Sequence, residues 1–396
     1  MQIISSLLLA FPCLPILCKS LPGNSDGSLS LKILPNAAAK GAICLDGSSP
    51  GYYFRQGDVS RVLIGLLGGG WCTSPEKCLE KSQTVYGSSR DWPSFLDGIG
   101  VTSASEALNP AFHNWTVAFL WYCDGTSYSS DLAEPLVINN TKIWFRGKRI
   151  FDAVIEDLFE QHVLGDFVRE VVLYGESAGG VGCYTHLDSL ASRLSQSRVR
   201  GLCDSSFFGD DSGLHGAHFR PILHSLFTQF NLSGALDKSC AESMQADEQW
   251  MCLFPPSLFE YLSTPVFILQ SQYDCMHLHD LGLNCFPTPD NSSVIPACDE
   301  QGLDFFEGFG KAMLGRMKIS GVFEEQSKNG LWTDSCIHHS IGLFGNFWNN
   351  PSYMIQSLTA AQSVKQWLED APVSHVHIDM PWPHNSNCLG ACTTCL

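Results

Sequence analysis

The chain has 396 residues, of which 44% are hydrophobic and 16% are charged, and these proportions are typical of a globular protein. Lysine and arginine together number 23, and aspartate and glutamate number 40, so the net charge is −17. A nucleic-acid-binding protein would present a basic surface. The acidic balance therefore predicts that this chain has no nucleic-acid partner.

The N-terminus begins with an apolar stretch of the length of a secretory signal peptide. It is too short for a membrane anchor, and Pro12 and Pro15 interrupt it. No later stretch approaches the length that a membrane span needs. We therefore predict a signal peptide at residues 1–20, without a defined cleavage site, and a secreted mature protein. No linker divides the remainder, so residues 30–396 are predicted to form a single domain.

Strand-like and helix-like patterns alternate along the chain. Short apolar runs predict strands at 61–67, 116–122, 170–174, 199–204, 264–270 and 376–378. Helices are predicted at 150–159, 181–194 and 303–317. Residues 205–262 have a less regular pattern, which we interpret as an excursion that caps the functional site. The alternation predicts an α/β fold with a mostly parallel central sheet flanked by helices.

The cysteines agree with secretion. Cys13 and Cys18 lie in the predicted signal peptide. The other 15 of the 17 cysteines are a common number in a protein of an oxidising compartment and an unusual number in a reducing one. An odd number leaves at least one thiol unpaired or bonded to another molecule. Zinc is the alternative for Cys388, Cys392 and Cys395, but the chain has no second Cys-x-x-Cys arm, and disulfides are therefore favoured over a metal site.

Four asparagines lie in the sequence Asn-x-Ser/Thr, which is the acceptor for N-linked glycans. In a secreted protein they become candidate glycosylation sites, whereas each is otherwise a polar loop residue. They are Asn114, Asn139, Asn231 and Asn291.

Residues 175–180, Gly-Glu-Ser-Ala-Gly-Gly, join the predicted strand 170–174 to the helix that follows. A serine between glycines at such a turn is typical of a nucleophile elbow, so Ser177 is the candidate nucleophile. Residues 68–72, Gly-Gly-Gly-Trp-Cys, follow the strand 61–67, and such a loop supplies part of the oxyanion hole in serine hydrolases of the α/β type. An ordinary glycine-rich turn is the alternative for both segments.

A serine nucleophile needs a base and an acid that orients the base. In α/β-hydrolases the chain order is serine, acid, histidine. Asp274 follows the strand 264–270, and His338 and His339 follow a later apolar segment, so both the order and the positions fit. Asp204 and Asp334 remain alternative acids.

His277 and His279 lie too close to Asp274 in sequence to be its favoured partners. As a pair they are also the ligands that a metal-dependent hydrolase would offer, but a single His-x-His is a weak metal signal.

Several segments, taken in order, resemble the pectin acetylesterase family, which includes the animal Notum carboxylesterases. The resemblance covers about residues 40–395. The segments are 40–53, 67–72, 121–125, 145–147, 177–180, 264–267, 273–274, 334–336 with His339, and 381–383.

The resemblance implies a serine esterase on an α/β-hydrolase-like fold. We expect no cofactor and no metal. The resemblance further implies Ser177 as nucleophile, Asp274 as acid and His339 as base, because the family histidine follows its cysteine by three positions. His338 beside it remains the alternative base. Two departures from the family stand out: Leu67 replaces the glutamate that usually precedes the three glycines, and Glu176 occupies the variable position before the serine.

The resemblance also implies which backbone groups and cysteines matter. The oxyanion donors would be the N–H groups of Gly69, Gly70 and Ala178. The implied disulfides join Cys44 to Cys123 and Cys72 to Cys78.

The family divides between deacetylation of pectin in cell walls and removal of a fatty acyl group from secreted Wnt proteins. Residues 45–48 and 122–125 look like the plant members, and residues 88–93 look like Notum. We expect an acylated polysaccharide as substrate, and an extracellular or cell-wall location. The alternatives are a palmitoleoyl ester on a secreted protein, or a non-catalytic secreted binding protein on an esterase scaffold.

Overall fold

The computed structural model describes residues 27–209, 214–281, 299–322, 328–343 and 345–381. The predicted signal peptide, the sequon at Asn291 and the cysteines 388, 392 and 395 lie outside these residues, as does most of the segment 381–383.

A ten-stranded sheet forms the centre of the described structure. Its strand order is β12-β11-β10-β9-β8-β3-β5-β2-β1-β4. The strands from β12 to β5 run parallel, and β2, β1 and β4 add an antiparallel edge, while β6 and β7 form a separate hairpin. The strands are β1 Ser28–Ile33, β2 Gly51–Arg55, β3 Asp58–Leu66, β4 Phe95–Asp97, β5 Trp115–Leu120, β6 Leu136–Ile138, β7 Thr141–Ile143, β8 Glu170–Glu176, β9 Arg198–Asp204, β10 Val266–Leu269, β11 Gly330–Thr333 and β12 Val376–Ile378.

Helices flank this sheet. They are α1 Pro75–Lys81, α2 Gly147–Glu160, α3 Ala178–Arg193, α4 Leu214–Phe230, α5 Lys238–Ser243, α6 Pro255–Leu258, α7 Cys275–Asp280, α8 Glu300–Ile319, α9 Gly345–Trp348 and α10 Ala360–Leu368. The mostly parallel α/β prediction is thus confirmed, and each predicted strand and helix has a counterpart.

The main difference from the prediction lies in residues 205–262. The 17-residue helix α4 occupies part of this region, although Pro221 lies inside it and weakens the sequence signal. Phe219, Leu223 and Phe230 of α4 belong to an apolar cluster that also contains Val181 at the start of α3. The region therefore packs on the helix that follows Ser177.

Four disulfides join described cysteines: Cys44–Cys123, Cys72–Cys78, Cys183–Cys203 and Cys240–Cys252. The first two are the pairings that the resemblance implies. Cys275 and Cys336 are also disulfide-bonded. Among the described helices, none is both long and apolar enough to cross a lipid bilayer.

Register places the carboxyl ends of the parallel strands at one edge of the sheet. Leu66 of β3 pairs with Gly175 of β8, and Glu176 of β8 pairs with Asp204 of β9. Asp204 in turn pairs with Leu269 of β10. In open α/β sheets this edge is where ligands bind, and here it carries the glycine loop 68–70, Ser177 and the loop that leads to Asp274.

Candidate active site

The backbone at Ser177 is strained and held in place by its neighbours. Its φ is 55° and its ψ is −125°, a region that costs a non-glycine residue about 1–3 kcal/mol. The Ser177 N–H donates to the Asp204 carbonyl at 2.9 Å, and its carbonyl accepts from the Gly180 N–H at 3.0 Å. A Cβ atom on Gly175 would lie 2.2 Å from the Gly179 carbonyl, so the close crossing of strand and helix requires glycine there. This is the geometry of a nucleophile elbow.

The glycine loop lies directly against the serine. A Cβ atom on Gly68 would come within 2.7 Å of the Ser177 Cβ, so any larger residue at that position would displace the elbow or the loop. Gly68, the first residue of this loop, is therefore packed directly against the Ser177 elbow.

Side chains fix the peptide groups of this loop one after another. The Tyr128 hydroxyl donates to the Leu67 carbonyl at 3.0 Å, and the Lys81 ammonium donates to the Gly69 carbonyl at 2.6 Å. The Tyr122 hydroxyl donates to the Gly70 carbonyl at 2.9 Å. In a trans peptide the N–H points opposite to the carbonyl, so the Lys81 contact also orients the Gly70 N–H.

Three backbone N–H groups in the glycine loop and at the start of α3 have no acceptor in the described part of the chain. Within the described residues, the N–H groups of Gly69, Gly70 and Ala178 donate no hydrogen bond. Ala178 is the first residue of α3, and first-turn N–H groups have no intrahelical acceptor. They are the three groups that the resemblance implies as oxyanion donors, a role that needs N–H groups without another acceptor.

His339 and Asp274 form a buried ion pair at the same sheet edge. His339 Nδ1 lies 2.8 Å from Asp274 Oδ2 and 2.9 Å from Oδ1, which leaves Nε2 at the opposite side of the ring. Burial lowers the pKa of His339, but attraction to Asp274 and their hydrogen bond outweigh it and raise the pKa to about 9. Burial raises the pKa of Asp274, but the charges of His339 and His277 and the hydrogen bonds lower it to about 2.

His338 is engaged in a different pair. Its Nε2 lies 2.7 Å from Asp334 Oδ2, and its ring stacks on Phe347 with centroids 4.2 Å apart. His338 is 0% exposed, and its Nδ1 has no partner in the described structure. Neither ring nitrogen is thus placed to reach a substrate.

Asp204 serves the loop that carries the histidine. It accepts hydrogen bonds from the N–H groups of Ile341 and Gly342 at 3.0 and 2.7 Å, and from the Tyr174 hydroxyl at 2.9 Å. Burial raises its pKa to about 6 despite these bonds. Asp204 contacts no imidazole ring through them, so the arrangement is that of a loop anchor and not of a triad acid.

The metal alternative has little support within the described residues. Asp334, Cys336 and His338 place ligand atoms within 4.8 Å of one another, but Cys336 is disulfide-bonded and offers no thiolate. His279 is exposed, whereas His277 is buried with neither ring nitrogen bonded, and burial lowers the pKa of His277 to about 4.

Three of the four candidate glycosylation sites lie in the described structure, and all three are exposed: Asn114, Asn139 and Asn231. The Nδ2 group of Asn231 donates to the Asp131 carbonyl at 2.9 Å, so a glycan there would replace one of its donor hydrogens.

Sequence reasoning missed the residues that hold the site together. Lys81 and Tyr128 act on the glycine loop from outside every motif, and Tyr122, although it lies in segment 121–125, was not assigned this role. The residue before the serine, Glu176, and the residue after the histidine, Ser340, were visible only as neighbours of motif residues.

The α/β sheet, the strained serine and the buried His–Asp pair form an arrangement typical of serine hydrolases. A family model described as pectinacetylesterase matches residues 23–389. The chain therefore belongs to the pectinacetylesterase family and is a carboxylic ester hydrolase, as the sequence motifs predicted.

Individual relatives fall on both branches of the family. Pectin acetylesterase 5 of Arabidopsis thaliana is 30% identical over 387 residues, which cover 94% of this chain and 88% of that protein. Pectin acetylesterase 4 of Arabidopsis thaliana is 29% identical over 377 residues, covering 91% and 88%. Palmitoleoyl-protein carboxylesterase NOTUM of Homo sapiens is 26% identical over 405 residues, covering 95% and 75%.

Proposed function

We propose that this chain is a secreted serine carboxylesterase with a single α/β-hydrolase-like domain at residues 30–396. Ser177 is its nucleophile, His339 its general base and Asp274 the acid that orients the base. The observation that carries the proposal is the 2.8 Å contact between His339 Nδ1 and Asp274, at the sheet edge where the Ser177 elbow also lies.

Acylation follows from this geometry. Ser177 Oγ attacks the ester carbonyl carbon while its proton passes to His339 Nε2. The carbonyl oxygen becomes an oxyanion, and the N–H groups of Gly69, Gly70 and Ala178 stabilise it. When the tetrahedral intermediate collapses, the bond to the alcohol oxygen breaks and His339 returns the proton to that oxygen. The acyl group is left as an ester of Ser177.

Deacylation repeats these steps with water. His339 takes a proton from the attacking water, the same donors stabilise the second oxyanion, and Ser177 Oγ leaves with the proton. Asp274 keeps the His339 ring in one orientation and stabilises the imidazolium during both steps. No cofactor is needed for this chemistry.

The substrate favoured by the comparisons is an O-acetyl ester of pectin or a related cell-wall polysaccharide, as the names of the plant relatives suggest. Aromatic rings pack close to His339, and we infer that they line the acyl-binding side of the site, which would favour a short acyl group. Phe208 packs against Trp71 and His277 with centroids 5.1 and 4.5 Å apart. Trp71 follows Gly70 directly, and the His277 ring lies 6.4 Å from that of His339.

A second candidate substrate is a palmitoleoyl ester on a secreted protein. The NOTUM carboxylesterases of Schmidtea mediterranea and Homo sapiens support it, since they align over 78% and 95% of this chain.

Acyl-chain selectivity tests the proposal. We expect kcat/KM to fall from p-nitrophenyl acetate through butyrate to octanoate, and we expect acetate release from acetylated pectin. A preference for octanoate, without acetate release from pectin, would assign the chain to the fatty-acyl branch.

Secretion is tested separately, by sequencing the N-terminus of the exported protein and by the mass lost on deglycosylation.

A further inference from the structure

Glu176 joins two loops that the reaction needs. It is the last residue of β8, directly precedes Ser177 and is 6% exposed. Its Oε1 accepts the Gly68 N–H at 2.7 Å, and its Oε2 accepts the Ser340 hydroxyl. Gly68 begins the loop with the oxyanion donors, and Ser340 immediately follows His339.

The attachment at Ser340 acts on a strained part of the base loop. Ser340 has a φ of 64°, a conformation that a non-glycine residue keeps only when its surroundings hold it. Its N–H donates to the Ser205 hydroxyl at 2.8 Å. Ser340 is thus held by side chains from the ends of two neighbouring strands, β8 and β9.

We propose that Glu176 is a positioning residue that ties the oxyanion loop and the base loop to the nucleophile, so that one carboxylate sets the geometry of all three parts. This inference rests on the proposed Ser177 mechanism. Filling the same space with an apolar side chain would avoid the desolvation of a carboxylate, but it would bond neither loop.

The charge of Glu176 adds to this role. With Asp274 and Asp204 it is one of the carboxylates that attract the His339 imidazolium, while burial and the nearby His277 act against the imidazolium. Removing the charge should therefore make His339 a weaker base, whereas removing the hydrogen bonds should misplace the loops.

Two substitutions separate these effects. Glu176→Gln keeps an acceptor for Gly68 and a donor for Ser340 without the charge, and we expect kcat within about tenfold of wild type with the acid limb of the kcat/KM profile moved to lower pH. Glu176→Ala removes both bonds, and we expect kcat to fall about 100-fold with KM little changed, as for small misplacements of reacting groups. Ser340→Ala should lose less, and the double variant less than the product of the two losses.

Controls distinguish positioning from stability. Thr185→Val removes a buried hydroxyl that bonds only within α3, and it should leave kcat unchanged. Thermal melting identifies the variants that fold. If Glu176→Ala does not fold, the pH profile of Glu176→Gln and the kcat of Ser340→Ala test the inference instead. A Glu176→Ala enzyme with kcat within twofold of wild type overturns the positioning role, and an unshifted Glu176→Gln profile overturns the role of the charge. Full activity of Ser177→Ala would instead overturn the proposed function itself.

Discussion

Both carboxylate oxygens of Asp274 lie within hydrogen-bonding distance of the same ring nitrogen, Nδ1 of His339, at 2.8 and 2.9 Å, although the two residues are 65 positions apart in the chain. The carboxylate is fully buried and caps α7 by accepting from the N–H groups of Met276 and His277. Both partners are therefore fixed before a substrate arrives, and the imidazole is held with Nε2 away from the acid. Such preorganisation is what a general base requires.

The two adjacent histidines should respond differently to substitution. We expect His339→Gln to lower kcat for p-nitrophenyl acetate by about 10³-fold or more, because the base is lost. His338→Gln should leave kcat within about tenfold but lower the melting temperature, because a buried Asp334 carboxylate would lose its imidazole partner. The reverse ranking of the two kcat values would transfer the base role to His338.

Activity should rise with pH over an unusually alkaline range. His339 must be neutral to accept the serine proton, and its pKa is raised to about 9 from 6.5. The acid limb of kcat/KM should therefore have its midpoint well above 6.5. In Asp274→Asn the attraction is removed, so the midpoint should fall below that of wild type while kcat drops. A midpoint unchanged by this substitution would contradict the ion pair's role.

Stability should depend on the same pair. The folded pKa of Asp274 is depressed to about 2 from 3.8, so its contribution is present above pH 3.8 and is lost as pH falls through 2. The folded pKa of His339 is raised, so its contribution is present below pH 6.5 and is lost as pH rises through 9. The melting temperature of wild type should exceed that of His339→Gln most between pH 4 and 6.5. A difference that stays constant up to pH 10 would argue against the linkage.

Lys81 should matter through the glycine loop. Its ammonium holds the Gly69 carbonyl, so Lys81→Met should release the peptide that presents the Gly70 N–H. We expect kcat to fall by up to about 100-fold, less than or equal to the loss of one oxyanion donor. Lys77→Met, on the exposed side of the same helix α1, is the matched control and should behave as wild type. Equal kcat values in the two variants would show that Lys81 does not position the glycine loop for catalysis.

The parts of the site that sequence predicted are those with local patterns. The elbow at Ser177 and the glycine loop need special backbone conformations, which leave glycines at set spacings in the sequence. Asp274 was visible because it follows a strongly apolar strand. The choice of His339 over His338 as its partner required the family spacing. Sequence patterns do not distinguish two adjacent histidines in a loop.

The rest of the site depends on which strands are neighbours, and a sequence does not display that order. Glu176 meets Gly68 and Ser340 across 108 and 164 positions of chain. The short edge strands β1 and β4 were also not predicted. They have only six and three residues with few buried side chains, so the hydrophobic alternation that identifies a strand is weak. The departures at Leu67 and Glu176 were noted in sequence, but their structural consequence was not.

The measurement that tests the central claim most directly is the rate of p-nitrophenyl acetate hydrolysis by Ser177→Ala, with its melting temperature as the check on folding. We expect a folded protein whose kcat is lower than that of wild type by at least about 10³-fold, because no acyl-enzyme can form. A folded Ser177→Ala protein that hydrolyses the ester at the wild-type rate would contradict the claim.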